Sequence, residues 1–298
     1  MSSFIVGNEL DGISVKSFLR RHCQVSARLL ARLKRTENGI TCKGRVLRSI
    51  DILHAGDKVE LSLPADESVI VPVDLPVEIV YEDNDIVVFN KPANMPVHPV
   101  NSHRLNTLAN AAAYHCIIRG EQYAFRAVNR LDKDTSGLVL TVKNGYAHTF
   151  LISHTEKRYL ALCEGELYGS GTIDSPIRLK PGHTIQREVG HGGKPSVTHY
   201  RALKHGFGHT LLSLTLETGR THQIRVHLSS IGHPLAGDDM YGGSIHYFSH
   251  QCLHCASLSF VHPTTRETLT LYREPEDWLG ILEKKHISGI KSGDPSYN

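Results

Sequence analysis

Apolar positions change their period several times along the chain. Val15, Phe18 and Leu19 recur at helical spacing. Leu29, Leu30 and Leu33 then share one helical face behind Ser26, which suits an N-cap. Residues 39–44 read as a short strand and turn, and Ala55-Gly56-Asp57 turns into an alternating strand ending at Leu61. Together these elements predict a compact module over 11–63. Pro64-Ala65-Asp66-Glu67-Ser68 is polar, and the linker is expected over 64–75. A larger region follows over 76–282, starting with branched, strand-like runs at 77–81 and 86–92. A helix rich in small residues is expected over 107–118. Further strands are expected at 137–142, 159–164, 196–203 and 211–217. Ile224, Leu228 and Ile231 predict a helix over 221–231. Strands outnumber helices and do not alternate with them regularly. The pattern predicts an α+β fold around a mostly antiparallel sheet, preceded by a small N-terminal α/β module. Residues 283–298 read as a polar tail that frays.

Charge sharpens this division. The net charge is only +3, yet residues 13–50 hold ten basic side chains against one acid, Glu37, which leaves 23 against 29 elsewhere. So concentrated a basic patch on a nearly neutral chain points to a polyanion, held by phosphate neutralisation, in preference to a merely solvated face. No stretch approaches the roughly eighteen apolar residues that span a membrane. The start lacks a cationic region followed by an apolar run, so a cytoplasmic location is expected. Six scattered cysteines are not a disulfide framework and fit reduced thiols.

One stretch concentrates the chemistry: Asn129-Arg130-Leu131-Asp132-Lys133-Asp134-Thr135-Ser136-Gly137-Leu138-Val139-Leu140. A carboxylate, Asp132, stands among cationic and hydroxyl side chains, and an apolar strand follows at once. Cationic neighbours favour the ionised form of a carboxylate, which suits a nucleophile or base. The Asp-Thr-Ser-Gly segment supplies turn chemistry. Taken alone, the stretch reads first as a loop ahead of a buried strand.

The stretch resembles the catalytic motif of pseudouridine synthases of the RluA class, H/N-R-L-D-x-x-T-S-G-L. Three more match that family in the same order. They are Lys157-Arg158-Tyr159-Leu160-Ala161-Leu162, Gly219-Arg220-Thr221-His222-Gln223-Ile224-Arg225-Val226-His227-Leu228, and His233-Pro234-Leu235-Ala236-Gly237-Asp238-Asp239-Met240-Tyr241-Gly242. The likeness covers residues 76–275. It implies a catalytic cleft across the middle of the sheet and isomerisation of uridine to pseudouridine in RNA. Asp132 would be the carboxylate that attacks, or stabilises charge on, either the anomeric carbon of the sugar or the uracil ring. Arg225 would pair with Asp132. Tyr159 would lie against the uracil face and accept the proton from carbon 5, though residue type alone fits a half-buried strand tyrosine as well. Arg130 would enter the RNA to replace the extruded uridine. Asn129 stands where many relatives carry His, and Leu253 is a weaker candidate for packing on the base. The 11–63 module resembles the RNA-binding domain named after ribosomal protein S-four, whose second helix lies on RNA. That would bring Arg28, Arg32 and Arg35 to phosphate. Nothing is oxidised or lost in the reaction, so no cofactor and no metal are implied. The partner is RNA, ribosomal RNA of the large subunit first and transfer RNA second, and a monomer is the simplest state.

Three rival readings remain. Zinc nucleobase deaminases carry His-x-Glu and Pro-Cys-x-x-Cys. Here His154-Thr155-Glu156 and Cys252-Leu253-His254-Cys255 lie about a hundred residues apart, and Gln251 stands in place of the Pro. A non-catalytic RNA-binding protein of the same fold would not need Asp132, Tyr159 and Arg225 together. Most glycosidases pair two carboxylates, but Asp134 occupies a variable position of the motif and takes no catalytic role.

Overall fold

In the computed structural model, which describes residues 2–62, 70–100 and 103–282, the stripe at Val15, Phe18 and Leu19 forms a short helix, Val15–Ser17, that loosens into a π turn over Phe18–His22. Ser26 caps the next helix, Ala27–Leu33, its hydroxyl accepting from the Leu29 N–H at 3.1 Å. Leu29, Leu30 and Leu33 are all buried. They cover a four-stranded antiparallel sheet in the order Ser2–Ile5, Lys58–Leu61, Ile40–Cys42, Arg45–Val46. Ser2–Ile5 is too short to show an alternation, so only pairing with Lys58–Leu61 reveals it as a strand. The core also draws on residues beyond 11–63: Val6 is buried in it, and Tyr146, fully buried, joins it from far along the chain and meets the Phe4 ring edge-on at 4.9 Å. The expected tail at 283–298, and residues 64–69 of the expected linker, lie outside the described residues.

The described residues fall into two compact units. One takes those up to Tyr159 together with His254–Arg273, and the other takes Leu160–Leu253 and those from Glu274 onward. In the first unit Ile86–Lys91 lies antiparallel between Glu78–Glu82 and Ser136–Val142. All seven residues of Ser136–Val142 are buried, which accounts for the absence of a polar–apolar alternation along it. The strand Leu253–Val261 runs parallel to it, with Gly137 opposite Cys255, and pairs antiparallel with Thr268–Tyr272. The helix Leu108–Ile118 starts at a reciprocal cap between Thr107 and Asn110. A second helix, Gly145–Leu151, is capped by Asn144 and carries Tyr146.

The second unit contains an antiparallel meander, Ser170–Asp174, Val197–Gly206 and His209–Leu216. The last two strands join through Phe207 and Gly208, both at positive φ, as a tight two-residue hairpin demands. A short hairpin pairs Ile177–Leu179 with Arg187–Val189. The helix expected over 221–231 is shorter, Gln223–Ser230. His222 adopts a left-handed φ of 58°, which delays its start, and Ile231 lies past its end, 38% exposed, instead of joining the buried face. Among the described residues no helix is long and apolar enough to cross a membrane.

Candidate active site

Asp132 opens a turn closed by the Thr135 N–H, which donates to the Asp132 carbonyl at 3.2 Å. The Asp132 side chain is half-buried. Two groups fix the turn from behind: the Lys133 carbonyl accepts from the Met95 N–H and from the Lys91 ammonium, both at 3.1 Å. Lys91 is fully buried and also donates to the Pro92 carbonyl at 2.8 Å. Burial pushes its amine down to about 7, although the charges of Asp134 and Asp132 act to raise it. A cation that ends the strand Ile86–Lys91 is thus tied to the loop bearing the carboxylate.

The glycine of the motif has a steric reason. Gly137 sits at φ +112°, and a β-carbon there would lie 2.5 Å from both the backbone N and O of Cys255. Only glycine lets the two parallel strands approach so closely. Beside it, His254 Nε2 donates to the Arg273 carbonyl at 3.2 Å, so its Nδ1 accepts from the Ser136 hydroxyl at 2.8 Å. The close approach delivers Cys255 to Tyr159, and their side chains share a hydrogen bond. Both are buried. Burial raises the Tyr159 phenol well above its ordinary range, and the charges of Cys255 and Asp132 add to the rise. Tyr159 is therefore a neutral phenol at pH 7, within electrostatic reach of Asp132. Burial likewise pushes the Cys255 thiol up to about 12, against the pull of Lys157 and of the bond to Tyr159.

In the second unit Arg225 is buried on the helix Gln223–Ser230. It grips Asp238 with two bonds, Nε to Oδ2 at 2.7 Å and Nη2 to Oδ1 at 2.8 Å. Its guanidinium lies 4.9 Å over the Tyr241 ring. This fork-to-fork geometry fixes the plane of the guanidinium as well as its position. Asp238 and Tyr241 both belong to the fourth motif, which carried no role in the sequence reading.

Asn129 is buried and faces inward. Its amide donates to the Leu138 carbonyl at 3.0 Å and accepts from the Leu140 N–H at 2.8 Å, bracketing the strand that follows Asp132. Arg130 next to it is exposed. Its charge reaches His98, whose pKa is lowered by burial first and by Arg130 second. Arg32 and Arg35 are exposed; Arg28 lies on the helix Ala27–Leu33, with its side chain outside the described residues. The charge of Arg32 reaches Arg126 on the strand Arg126–Ala127, where burial, with Arg32 adding to it, lowers the guanidinium pKa. Two like charges thus converge within the first unit. Leu253 is buried.

The sequence profile of the RNA pseudouridylate synthase family matches residues 85–230, a span containing Asp132, Tyr159 and Arg225. The chain is 38% identical over 300 residues to a ribosomal large subunit pseudouridine synthase D of Pseudomonas aeruginosa, covering 93% of this chain and 91% of that protein. The chain belongs to the RNA pseudouridine synthases, of the RluA class. It is 42% identical over 227 residues to an uncharacterized RNA pseudouridine synthase of Bacillus subtilis, covering 73% of this chain and 75% of that one. Among solved structures it resembles human RNA pseudouridylate synthase domain containing 1, with a TM-score of 0.58 and 29% identity over 70% of this chain and 86% of that one.

Membership in this class of isomerases gives the site its meaning. Sequence reasoning picked out Asp132, Tyr159 and Arg225 as candidates and missed the residues that hold each of them: Lys91 behind the Asp132 turn, Cys255 on Tyr159 and Asp238 on Arg225. Asp238 stood inside a quoted motif, so a signal was present. Lys91 and Cys255 carried none, because their partners are distant in sequence. Among the described residues no three His, Cys, Asp or Glu side chains gather as a ligand set. The pieces of the deaminase pattern have other bonds: His154 donates to the Phe150 carbonyl at 2.7 Å, and Cys255 holds Tyr159.

Proposed function

We propose that this synthase isomerises uridines of large-subunit ribosomal RNA, with Asp132 as its catalytic carboxylate. The reading rests on one arrangement: a half-buried carboxylate on a turn tied down by Lys91, within electrostatic reach of a buried, neutral tyrosine. The named activity of the Pseudomonas aeruginosa relative supports the choice of RNA.

The reaction breaks the bond from uracil N1 to the sugar and joins carbon 5 to the same sugar carbon. A proton leaves carbon 5 and one is gained at N1, so the product is an isomer. Asp132 attacks, or stabilises charge on, the sugar carbon or the ring while the detached base turns. Tyr159 offers a flat wall for the uracil and takes the carbon-5 proton. Because burial keeps its phenol protonated, Tyr159 handles that proton only as a relay: it gives up its own hydroxyl proton as it receives the one from carbon 5, and the balance closes when uracil N1 gains a proton. Arg225, its guanidinium plane set by Asp238, is kept as the third catalytic candidate of the family motifs. Arg130 replaces the extruded base, and Arg28, Arg32 and Arg35 of a module of the S-four type take phosphates. The protein works as a monomer in the cytoplasm, with transfer RNA as the second candidate substrate.

The test is tritium release from RNA labelled at uridine carbon 5, with large-subunit and transfer RNA offered separately. Wild type should release tritium from the former. Asp132→Asn should release none and still bind RNA. Residual turnover of even a few per cent in that variant contradicts the role given to Asp132, and a silent wild type on every RNA favours a binding-only protein.

A further inference from the structure

A cavity of about 390 Å³ opens in the second unit, between the hairpin Ile177–Leu179 with Arg187–Val189 and the loop that leads into the helix Gln223–Ser230. Arg178, Arg187, Lys194 and Arg220 line it, with Thr221 beside them. Between residues 175 and 195 the chain carries four basic side chains and one acid, Glu188. That acid is bonded to Arg178 at 2.7 Å. Arg220 is held by its Nε, which donates to the Pro195 carbonyl at 3.1 Å. The telling group is Arg187: its Nε is buried and has no hydrogen-bond partner among the described residues. A buried donor on a charged group is costly to leave unmet, so the site as it stands lacks an acceptor. Gly192, Gly193 and Gly219 form walls without side chains, which leave room for a bulky anion.

The framework around the cavity is rigid. Ile177 packs with Val226 and Tyr241, the Arg187 N–H donates to the Tyr241 hydroxyl at 2.9 Å, and Gln186 donates to the Met240 carbonyl at 2.8 Å. Tyr241 is also the ring beneath Arg225. The cations of the cavity are therefore mounted on the same elements that hold Arg225.

We propose that this cavity grips phosphate groups of the substrate RNA backbone, through Arg187 and Lys194 with Arg178 and Arg220 at its sides. The inference rests on the reading of the chain as an enzyme acting on RNA. Several cations around one open cavity suit successive phosphodiesters, whose oxygens match the guanidinium fork. A free phosphate carries the same chemistry, and the test separates the two sources.

The experiment compares three full-length proteins: wild type, the double variant Arg187→Gln with Lys194→Gln, and the charge-keeping pair Arg187→Lys with Lys194→Arg. Binding of a labelled large-subunit RNA fragment is measured across a salt series, together with KM and kcat from tritium release. Melting temperatures report whether each variant folds. Loss of two phosphate contacts should lower the slope of log affinity against log salt by about 1.4 to 1.8. KM should rise about tenfold at physiological salt, more than kcat falls, as expected for lost phosphate contacts. The charge-keeping pair should restore the slope. An unchanged slope and KM in a folded double variant would overturn the proposal. So would an unchanged slope accompanied by a melting-temperature gain with inorganic phosphate that only the wild type shows, which would mark a small-ligand site. Loss of slope beside a wild type that releases no tritium counts for the grip and against the catalytic reading. Tritium release with an unchanged slope counts the opposite way.

Discussion

Lys91 makes the folded protein sensitive to pH in a window where few side chains titrate. In the unfolded chain its amine keeps a proton up to about 10.5, but in the fold only up to about 7. Between those values the unfolded state binds the extra proton, so stability must rise as pH rises. The penalty is fully present below the folded value and is gone above the unfolded one. Integrated from about pH 6.5 to 8.5, the gain is about 2 kcal/mol. The perturbation is Lys91→Met, which keeps an unbranched side chain one heavy atom shorter and removes the charge. The variant loses the bonds to the Pro92 and Lys133 carbonyls, so its stability at one pH is not the readout. Urea unfolding of both proteins at the two pH values is. Wild type should gain about 2 kcal/mol more than the variant over the interval, since every other titrating group cancels in the difference. Parallel pH profiles would refute the reasoning, because they would mean that Lys91 keeps its ordinary proton affinity when buried.

Two other substitutions probe the supports of the site. Gly137→Ala forces an ordinary residue to φ +112° and drives a β-carbon to 2.5 Å from the Cys255 backbone. It should cost about 2–5 kcal/mol in denaturant unfolding, and a loss below about 1 kcal/mol would mean that the two strands separate freely. Asp238→Ala leaves the Arg225 guanidinium buried without its carboxylate, at a cost of about 3–5 kcal/mol in the same assay. An unchanged midpoint would show that the pair contributes nothing to the fold.

The residues proposed to do chemistry were legible because each sits in a short motif of the family that the sequence resembles. Asp132 has turn-forming neighbours and a strand behind it, and Tyr159 and Arg225 fall in short stretches in a fixed order. Helices were legible where capping and spacing act within four residues, as at Ser26 with Leu29, Leu30 and Leu33. The seven-residue helix Gly145–Leu151 was not, being too short to show a period. Nor was the part Tyr146 plays in the core of the small module, since its packing partners are far along the chain. Tyr159 allowed two readings, a working tyrosine or a half-buried strand residue, until a covered strand and a bond to Cys255 set its surroundings. Local propensity acts between residues a few positions apart, and it chose the turns, the strands and the kinds of side chain. Proton affinity, close backbone approach and the pairing of distant groups depend on what lies within a few ångströms. Such neighbours, Gly137 against Cys255 or Lys91 beneath Lys133, meet only when strands from remote parts of the chain lie side by side.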